Sequence, residues 1–137
     1  MERRIIALFG PTGVGKTAFA ISLAARLRDA GERPVAVSAD ALQLYRGLEL
    51  LTAAPTAAER ASLEHELVAC FAVSERVSVG RYARLAHERI DALLADGATP
   101  IVVGGTGLYL RAALSNLDLA PPPTPGVRER WDARLAA

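Results

Sequence analysis

The feature that most constrains the fold of this chain is a glycine-rich octapeptide near its start, Gly10-Pro11-Thr12-Gly13-Val14-Gly15-Lys16-Thr17. It matches the phosphate-binding pattern G-x-x-x-x-G-K-[ST] at every fixed position. The apolar run Ile5 to Phe9 precedes it and predicts a strand buried on both faces. Apolar residues at helical spacing follow it and predict a helix from Lys16 to about Arg28. This order of strand, loop and helix predicts a site for a diphosphate or triphosphate, because backbone N–H groups and the helix N-terminus converge on phosphate oxygens.

Two side chains of the octapeptide carry specific chemistry. Of the 16 basic residues in the chain, 15 are arginine and one is Lys16. A lysine in so arginine-rich a chain is a candidate for a role that needs a compact ammonium rather than a guanidinium. We therefore expect Lys16 to contact phosphate and the Thr17 hydroxyl to bind Mg²⁺.

Further strands and helices alternate along the chain. Short apolar runs predict strands at Val35–Ser38 and Ile101–Val103, and a weaker one is predicted at Leu67–Phe71. Three helices are predicted: one capped by Thr56 and running toward Leu67, one capped by Ser78 and running to about Ala95, and one over Leu108–Leu114. The alternation indicates an α/β fold of P-loop NTPase-like type, with three layers and a parallel sheet. Three or four strands are few for a sheet covered on both faces, so we expect an incomplete fold.

Composition excludes several classes of protein. The formal net charge of +1 does not indicate nucleic-acid binding driven by bulk charge. The single cysteine, Cys70, excludes an internal disulfide and is expected to be a buried small apolar residue. No apolar run is long enough for a membrane span or a signal peptide, which makes the cytoplasm the default location. We expect no metal site at His65 or His87, and we expect Trp131 to pack a terminal helix against a surface.

Two polar or glycine-rich segments follow predicted strands at the edge where the octapeptide lies. Asp40 comes directly after the second strand, where ligands collect in open α/β sheets. Its carboxylate can serve as a general base, as an outer partner of magnesium or as a helix cap. Gly104-Gly105-Thr106-Gly107 follows the third strand and indicates either a close backbone approach to a ligand or a tight turn before a helix.

Three segments taken together resemble one family. These are the octapeptide, Asp40-Ala-Leu-Gln-Leu-Tyr-Arg-Gly47 and Val103-Gly-Gly-Thr-Gly-Leu-Tyr109, in this order and spacing. The combination resembles the tRNA dimethylallyltransferases, also called tRNA isopentenyltransferases. The resemblance extends from Ile5 to about Arg130. It implies transfer of a dimethylallyl group from its diphosphate to the exocyclic amine of an adenine beside a tRNA anticodon.

The resemblance also implies roles for individual residues. The octapeptide would hold the diphosphate of dimethylallyl diphosphate together with Mg²⁺. Asp40 and Thr106 are the implied catalytic residues: Asp40 would take the proton of the attacking amine, and Thr106 would line the reaction channel and touch the substrate. The residues implied to contact tRNA are Asp40, Ala41, Leu42, Gln43, Thr106 and Arg128. Membranes and disulfide partners are not expected, and the complete enzyme is expected to be a monomer.

The resemblance further implies a domain division and leaves rival functions open. Residues 1–120 would form the P-loop core, and 121–137 a proline-rich linker and the start of a truncated tRNA-binding insertion. Members of the family are generally longer, and they usually have lysine where this chain has Ala54. The alternatives are a P-loop nucleotide or small-molecule kinase, an adenylate isopentenyltransferase, and an inactive remnant that binds diphosphate.

Overall fold

Parallel strands and helices alternate through most of the chain. The computed structural model describes residues 4–137. The strands are β1 (Ile6–Phe9), β2 (Arg33–Ser38), β3 (His65–Glu66) and β4 (Ala98–Gly104). The helices are α1 (Lys16–Asp29), α2 (Ala57–Ser62), α3 (Val79–Ala95), α4 (Gly107–Leu114) and α5 (Val127–Ala136).

The four described strands form one parallel sheet in the order β1-β4-β2-β3. The register pairs Ile6 of β1 with Ile101 of β4, and Val37 of β2 with Val102 of β4. Because all strands run the same way, the carboxyl ends of β1, β2 and β4 lie side by side along one edge of the sheet, its carboxyl edge. The segments that follow these three strands are the octapeptide, Asp40 and the glycine-rich turn at 104–107. The sheet therefore brings the three segments singled out in the sequence to one edge.

Helices cover both faces of the sheet. On one face α3 and α4 pack against β2 and β4, and the buried side chains there include Tyr82, Ile90, Leu93, Val35, Val37 and Val102. On the other face α1 buries Ala20, Ala24 and Leu27 together with Ala36, Leu63 and Ile101. This arrangement confirms the predicted three-layer α/β fold with a parallel sheet.

The prediction that the first strand is buried on both faces is wrong within the described residues. β1 alternates between partly buried and exposed positions, and the Phe9 side chain is 64% exposed. The reason is its position, since β1 lies at an edge of the described sheet and pairs only with β4. The central strand β4 has the burial that the sequence led us to expect for β1.

The region between α2 and α3 also differs from the prediction. Helix α2 ends at Ser62 rather than near Leu67, because Leu63 is extended and buried and leads into β3. The additional strand lies at His65–Glu66 rather than over Leu67–Phe71. Leu67 and Ala69 have φ angles of 60° and 52°, and such left-handed residues interrupt an extended strand. What remains of the predicted strand is an isolated bridge between Tyr45 and Phe71.

Two single-residue predictions are also wrong. Cys70 is exposed rather than buried, because it follows the left-handed Ala69 and lies outside the core. Trp131 is 52% exposed on α5, a helix without buried residues, where the Arg134 guanidinium lies 4.7 Å from the ring centroid. Trp131 therefore contacts a side chain of its own helix rather than the sheet. In residues 4–137 no helix has the length and apolar character needed to cross a membrane.

Candidate phosphate and acceptor site

Backbone geometry and one side chain shape the phosphate loop, residues 10–17. Gly13 and Gly15 have φ angles of 81° and 97°, a left-handed conformation that glycine adopts without strain. The Lys16 Nζ atom donates to the carbonyl oxygens of Gly10 at 2.7 Å and Pro11 at 2.8 Å. An ammonium group has three N–H donors, so one remains to contact an anion. The loop thus holds its cation in place over the N-terminus of α1.

The residues that end or follow β1, β2 and β4 pack closely together because Gly104 and Gly105 have no side chains. A Cβ atom on Gly104 would lie 2.6 Å from the carbonyl oxygen of Ala39, which is closer than real Cβ atoms come. A Cβ atom on Gly105 would lie 3.3 Å from the Gly10 carbonyl oxygen and 3.5 Å from Lys16 Nζ. These glycines therefore allow close approach to the backbone of neighbouring strand ends, and they also form the turn before α4, whereas approach to a ligand stays a prediction. The packing places Ala39, the residue before Asp40, against the end of β4.

Asp40 follows β2 at this edge with its carboxylate partly engaged. Its Oδ1 atom accepts hydrogen bonds from the backbone N–H groups of Leu42 at 2.8 Å and Gln43 at 3.2 Å. The capping interpretation is thus partly met, although Asp40 caps a turn rather than a helix. Within residues 4–137 the second oxygen, Oδ2, makes no hydrogen bond. One oxygen fixes the orientation of the carboxylate, and the other is available to a ligand.

A buried tyrosine supports the end of β2 from the face of the sheet that α3 and α4 cover, opposite to α1. The Tyr82 hydroxyl donates to the backbone carbonyl of Ser38 at 2.8 Å, and its ring centroid lies 4.7 Å from that of Tyr109. Burial raises the pKa of Tyr82 far above its ordinary value, so the hydroxyl keeps its proton. The strand end that carries Asp40 is therefore held by a donor that does not titrate in the physiological range.

One cavity of about 250 Å³ joins these parts. The phosphate loop lines it through Thr12, Gly13, Gly15, Lys16 and Thr17, and the ends of β2 and β4 through Ser38, Asp40, Gln43, Gly104 and Gly105. An opposite wall comes from Thr52, Ala53, Pro55, Glu59 and His65. Small apolar residues, among them Ala20 and Ala36, line the space between. The cavity thus combines a phosphate-binding end, a carboxylate and an apolar interior.

His65 and Glu59 belong to this cavity, and the sequence did not identify either as a site residue. His65 Nδ1 lies 2.6 Å from the Leu63 carbonyl oxygen, so in the neutral ring Nδ1 carries the proton and Nε2 is an acceptor. Burial lowers the pKa of His65, which favours that neutral form. Glu59 had a sequence signal, the capping box with Thr56, but that signal indicates a helix start. A lone histidine has no spacing to reveal it.

Several residues with implied roles lie outside the cavity. Thr106 is the N-cap residue of α4; it is exposed, and its hydroxyl makes no capping hydrogen bond. Leu42 is 58% exposed and Ala41 is half-buried in the turn after Asp40. Arg128 is exposed on α5. The structure brings Lys16, Thr17, Asp40 and Gln43 to one cavity but not these four, whose roles stay predictions.

The donor atoms present fit magnesium better than a softer metal. Within residues 4–137 no group of three or more His, Cys, Asp or Glu side chains is arranged to hold a metal ion. The cavity does offer hard oxygen donors, the Thr17 hydroxyl and the Asp40 carboxylate. Mg²⁺ commonly takes one or two protein oxygens and completes its shell with substrate phosphate and water. The residues present therefore fit a magnesium ion that a bound diphosphate would carry.

Comparison with known families and sequences gives one consistent result. Residues 43–137 match the model of the IPP transferase family. The tRNA dimethylallyltransferase of Bifidobacterium longum is 44% identical over 134 residues, which are 98% of this chain and 40% of that relative. That of Streptomyces coelicolor is 48% identical over 132 residues, 96% of this chain and 40% of the relative. The chain thus spans about 40% of the length of these curated relatives.

Solved structures agree with the sequence comparison. The full-length tRNA isopentenylpyrophosphate transferase from Bacillus halodurans superposes with a TM-score of 0.78 at 33% identity, covering 98% of this chain and 43% of that one. The tRNA Δ(2)-isopentenylpyrophosphate transferase from Staphylococcus epidermidis gives a TM-score of 0.75 at 26% identity, with 98% and 42% covered. The architecture described above is therefore shared with these solved enzymes over nearly all of this chain.

Proposed function

The chain belongs to the IPP transferase family, and from that premise we propose that it carries the diphosphate-binding and amine-activating part of a tRNA dimethylallyltransferase. In the proposed reaction the bond between C1 of the dimethylallyl group and the diphosphate oxygen breaks. A bond forms between C1 and the exocyclic nitrogen of an adenine beside the anticodon. The amine proton passes to a carboxylate, and diphosphate leaves.

The observation that carries the proposal is the shared cavity of Lys16 and Asp40. Prenyl transfer to an amine needs a group that stabilises the departing diphosphate and a base close to the attacking nitrogen. The phosphate loop supplies the first and Asp40 the second, and the alanines between them provide an apolar surface for a five-carbon chain. A site for phosphate alone would not require a carboxylate in the same cavity, since a carboxylate repels an anion.

The phosphate loop would act on the leaving group. Backbone N–H groups of the loop and the remaining N–H donor of Lys16 would bind the diphosphate oxygens, where negative charge develops. Thr17, with the diphosphate itself, would hold Mg²⁺, which when bound neutralises charge on the leaving group. Binding of Mg²⁺ by Thr17 is therefore proposed only together with binding of the diphosphate.

Asp40 would act on the nucleophile. An aromatic amine is a poor nucleophile because its lone pair is delocalised into the ring, so removal of its proton during attack helps. The turn hydrogen bonds to Oδ1 fix the carboxylate, and Oδ2 would accept the proton. The adenine would have to leave its stack to reach this carboxylate.

The residues outside the cavity would contribute to tRNA contact. Ala41, Leu42 and Thr106 lie around the same sheet edge as Asp40, and Arg128 presents an exposed guanidinium on α5. An exposed arginine suits a phosphate of the RNA backbone. We include these four contacts and tRNA as the acceptor in the proposal, because the family relatives are tRNA-modifying enzymes by name.

A thermal-shift titration of the full chain in Mg²⁺ tests the proposal first. Dimethylallyl diphosphate at 100 times its dissociation constant should raise the free energy of unfolding by about 2.7 kcal/mol. The comparison ligand is ATP at the same concentration, and a transfer assay with an anticodon stem-loop RNA and labelled prenyl diphosphate follows.

Three outcomes would favour the alternative functions. Stabilisation by ATP alone would favour a kinase. Transfer to free adenosine phosphate but not to RNA would favour an adenylate isopentenyltransferase. Diphosphate binding without any transfer would favour a remnant.

A further inference from the structure

Both the oxygen and the nitrogen of the Gln43 side-chain amide form hydrogen bonds inside the protein. Its Oε1 atom accepts a hydrogen bond from the Ser38 hydroxyl at 3.0 Å. Its Nε2 atom donates to the carbonyl oxygens of Thr52 and Ala53, each at 3.3 Å. Carbonyl oxygens only accept, so the amide nitrogen must be the atom that faces them. Both N–H donors of Gln43 therefore have partners, and none remains for an RNA base.

The segment that Gln43 holds is the loop of residues 48–55, which forms part of the opposite wall of the cavity. Ala53 has a φ angle of 49°, a left-handed conformation that is unfavourable for a residue with a Cβ atom. The backbone N–H of Ala54 donates to the Glu49 carbonyl at 2.9 Å, and that of Thr52 to the Leu48 carbonyl at 2.9 Å. The loop also leaves Leu50 96% exposed, so little apolar burial holds its tip. Ala54 and Pro55 at the end of the loop are buried, so its exposed part depends on hydrogen bonds, including those from Gln43.

Gln43 also lies at the other end of the Asp40 turn. Its backbone N–H donates to Asp40 Oδ1, and its side chain reaches Ser38 on β2 and the 48–55 loop. One residue thus joins the candidate base, the strand that carries it and the facing wall of the cavity. We propose that Gln43 is a positioning residue, which keeps the Asp40 carboxylate and the 48–55 wall at a fixed separation. This proposal rests on the proposed transferase function, and it replaces the direct tRNA contact implied for Gln43 by the family resemblance.

Hydrogen exchange in the full chain tests the positioning role without requiring activity. Gln43→Glu keeps the size of the side chain but replaces the N–H donors with an oxygen that faces two carbonyls. We expect exchange at the amides of Thr52 and Ala54 to accelerate about 10-fold or more, because two hydrogen bonds are lost. The matched control is Arg46→Ala, an exposed neighbour in the same turn, which should leave these amides unchanged. Unchanged exchange in Gln43→Glu, with β4 amides protected as in wild type, would overturn the proposal.

Two further measurements separate positioning from RNA contact. Adding Ala53→Gly to Gln43→Glu removes the strain at that position, and it should return part of the lost protection. In the transfer assay Gln43→Glu should lower kcat while the KM for RNA stays unchanged. A raised KM for RNA with an unchanged kcat would overturn the positioning role and restore the tRNA contact. Failure of the wild-type chain to transfer would count against the proposed function, and the exchange data would still decide the role of Gln43.

Discussion

The two walls of the cavity are built in different ways. The phosphate-loop wall places its left-handed residues at Gly13 and Gly15, where the conformation costs little, and Lys16 closes the loop through backbone carbonyls. The facing 48–55 wall places a left-handed conformation at Ala53 and depends on the distant side chain of Gln43. Glycines and a lysine within the loop account for most of the geometry of the first wall, whereas a side chain from another turn holds the second. A wall of the first kind is expected to resist substitutions elsewhere, and a wall of the second kind to loosen when one contact is lost.

The largest effect should follow from removing the cation of the first wall. Lys16→Ala deletes the only lysine of the chain, and we expect affinity for dimethylallyl diphosphate in Mg²⁺ to fall at least ~100-fold, because a charge-assisted contact is lost in a partly enclosed site. Isothermal titration calorimetry measures this. Arg28→Ala, on the same helix but outside the cavity, is the control. Retained affinity in Lys16→Ala would remove the phosphate-loop assignment.

The next effect concerns the carboxylate between the two walls. Asp40→Asn keeps an oxygen that can accept the turn hydrogen bonds but cannot act as a base. Transfer in single-turnover experiments should slow by ~10²–10⁴-fold while diphosphate affinity stays close to that of the wild type. A variant that transfers at the wild-type rate would show that the base is another group.

A smaller effect should appear where the strands meet below the phosphate loop. Gly104→Ala brings a Cβ atom to 2.6 Å from the Ala39 carbonyl, and we expect a loss of about 1–3 kcal/mol in the free energy of unfolding. Gly107→Ala is the matched control, because no atom lies within 4 Å of its Cβ position and alanine favours the helix. Urea denaturation of both variants measures the difference. Equal stabilities would mean that the packing at Gly104 adjusts without cost.

The smallest effect should come from the second wall through His65. Because burial lowers its pKa below the ordinary value near 6.5, the unfolded chain binds the proton more readily than the folded one. Its contribution to stability is therefore complete above about pH 6.5 and is lost as the pH falls through the folded pKa. Melting temperatures at pH 7.5 and pH 5.5 should differ more in the wild type than in His65→Asn. Identical pH dependence in the two proteins would argue against a buried neutral histidine.

The contrast between the walls also explains what could be predicted from the sequence. The octapeptide, Asp40 and the 104–107 turn each follow a strand of a parallel sheet, so their meeting at one edge follows from topology. The burial of β1 could not be predicted, because an apolar run does not reveal which strand becomes an edge. The second wall could not be predicted either, since Glu59, His65 and the 48–55 loop carry signals of local structure only. Their place in the cavity depends on where β3 joins the sheet.

The edge position of β1 has a consequence for ligand affinity. β1 leads directly into the phosphate loop, yet within the described residues it is hydrogen-bonded to a neighbour on one side only. Edge strands fray more easily than central ones, and a frayed β1 would carry the loop out of its binding geometry. Apparent affinity equals intrinsic affinity reduced by the fraction of molecules in the competent state. Any contact that keeps β1 paired with β4 therefore strengthens diphosphate binding without touching the ligand. By the same linkage, bound diphosphate stabilises the pairing of β1 with β4.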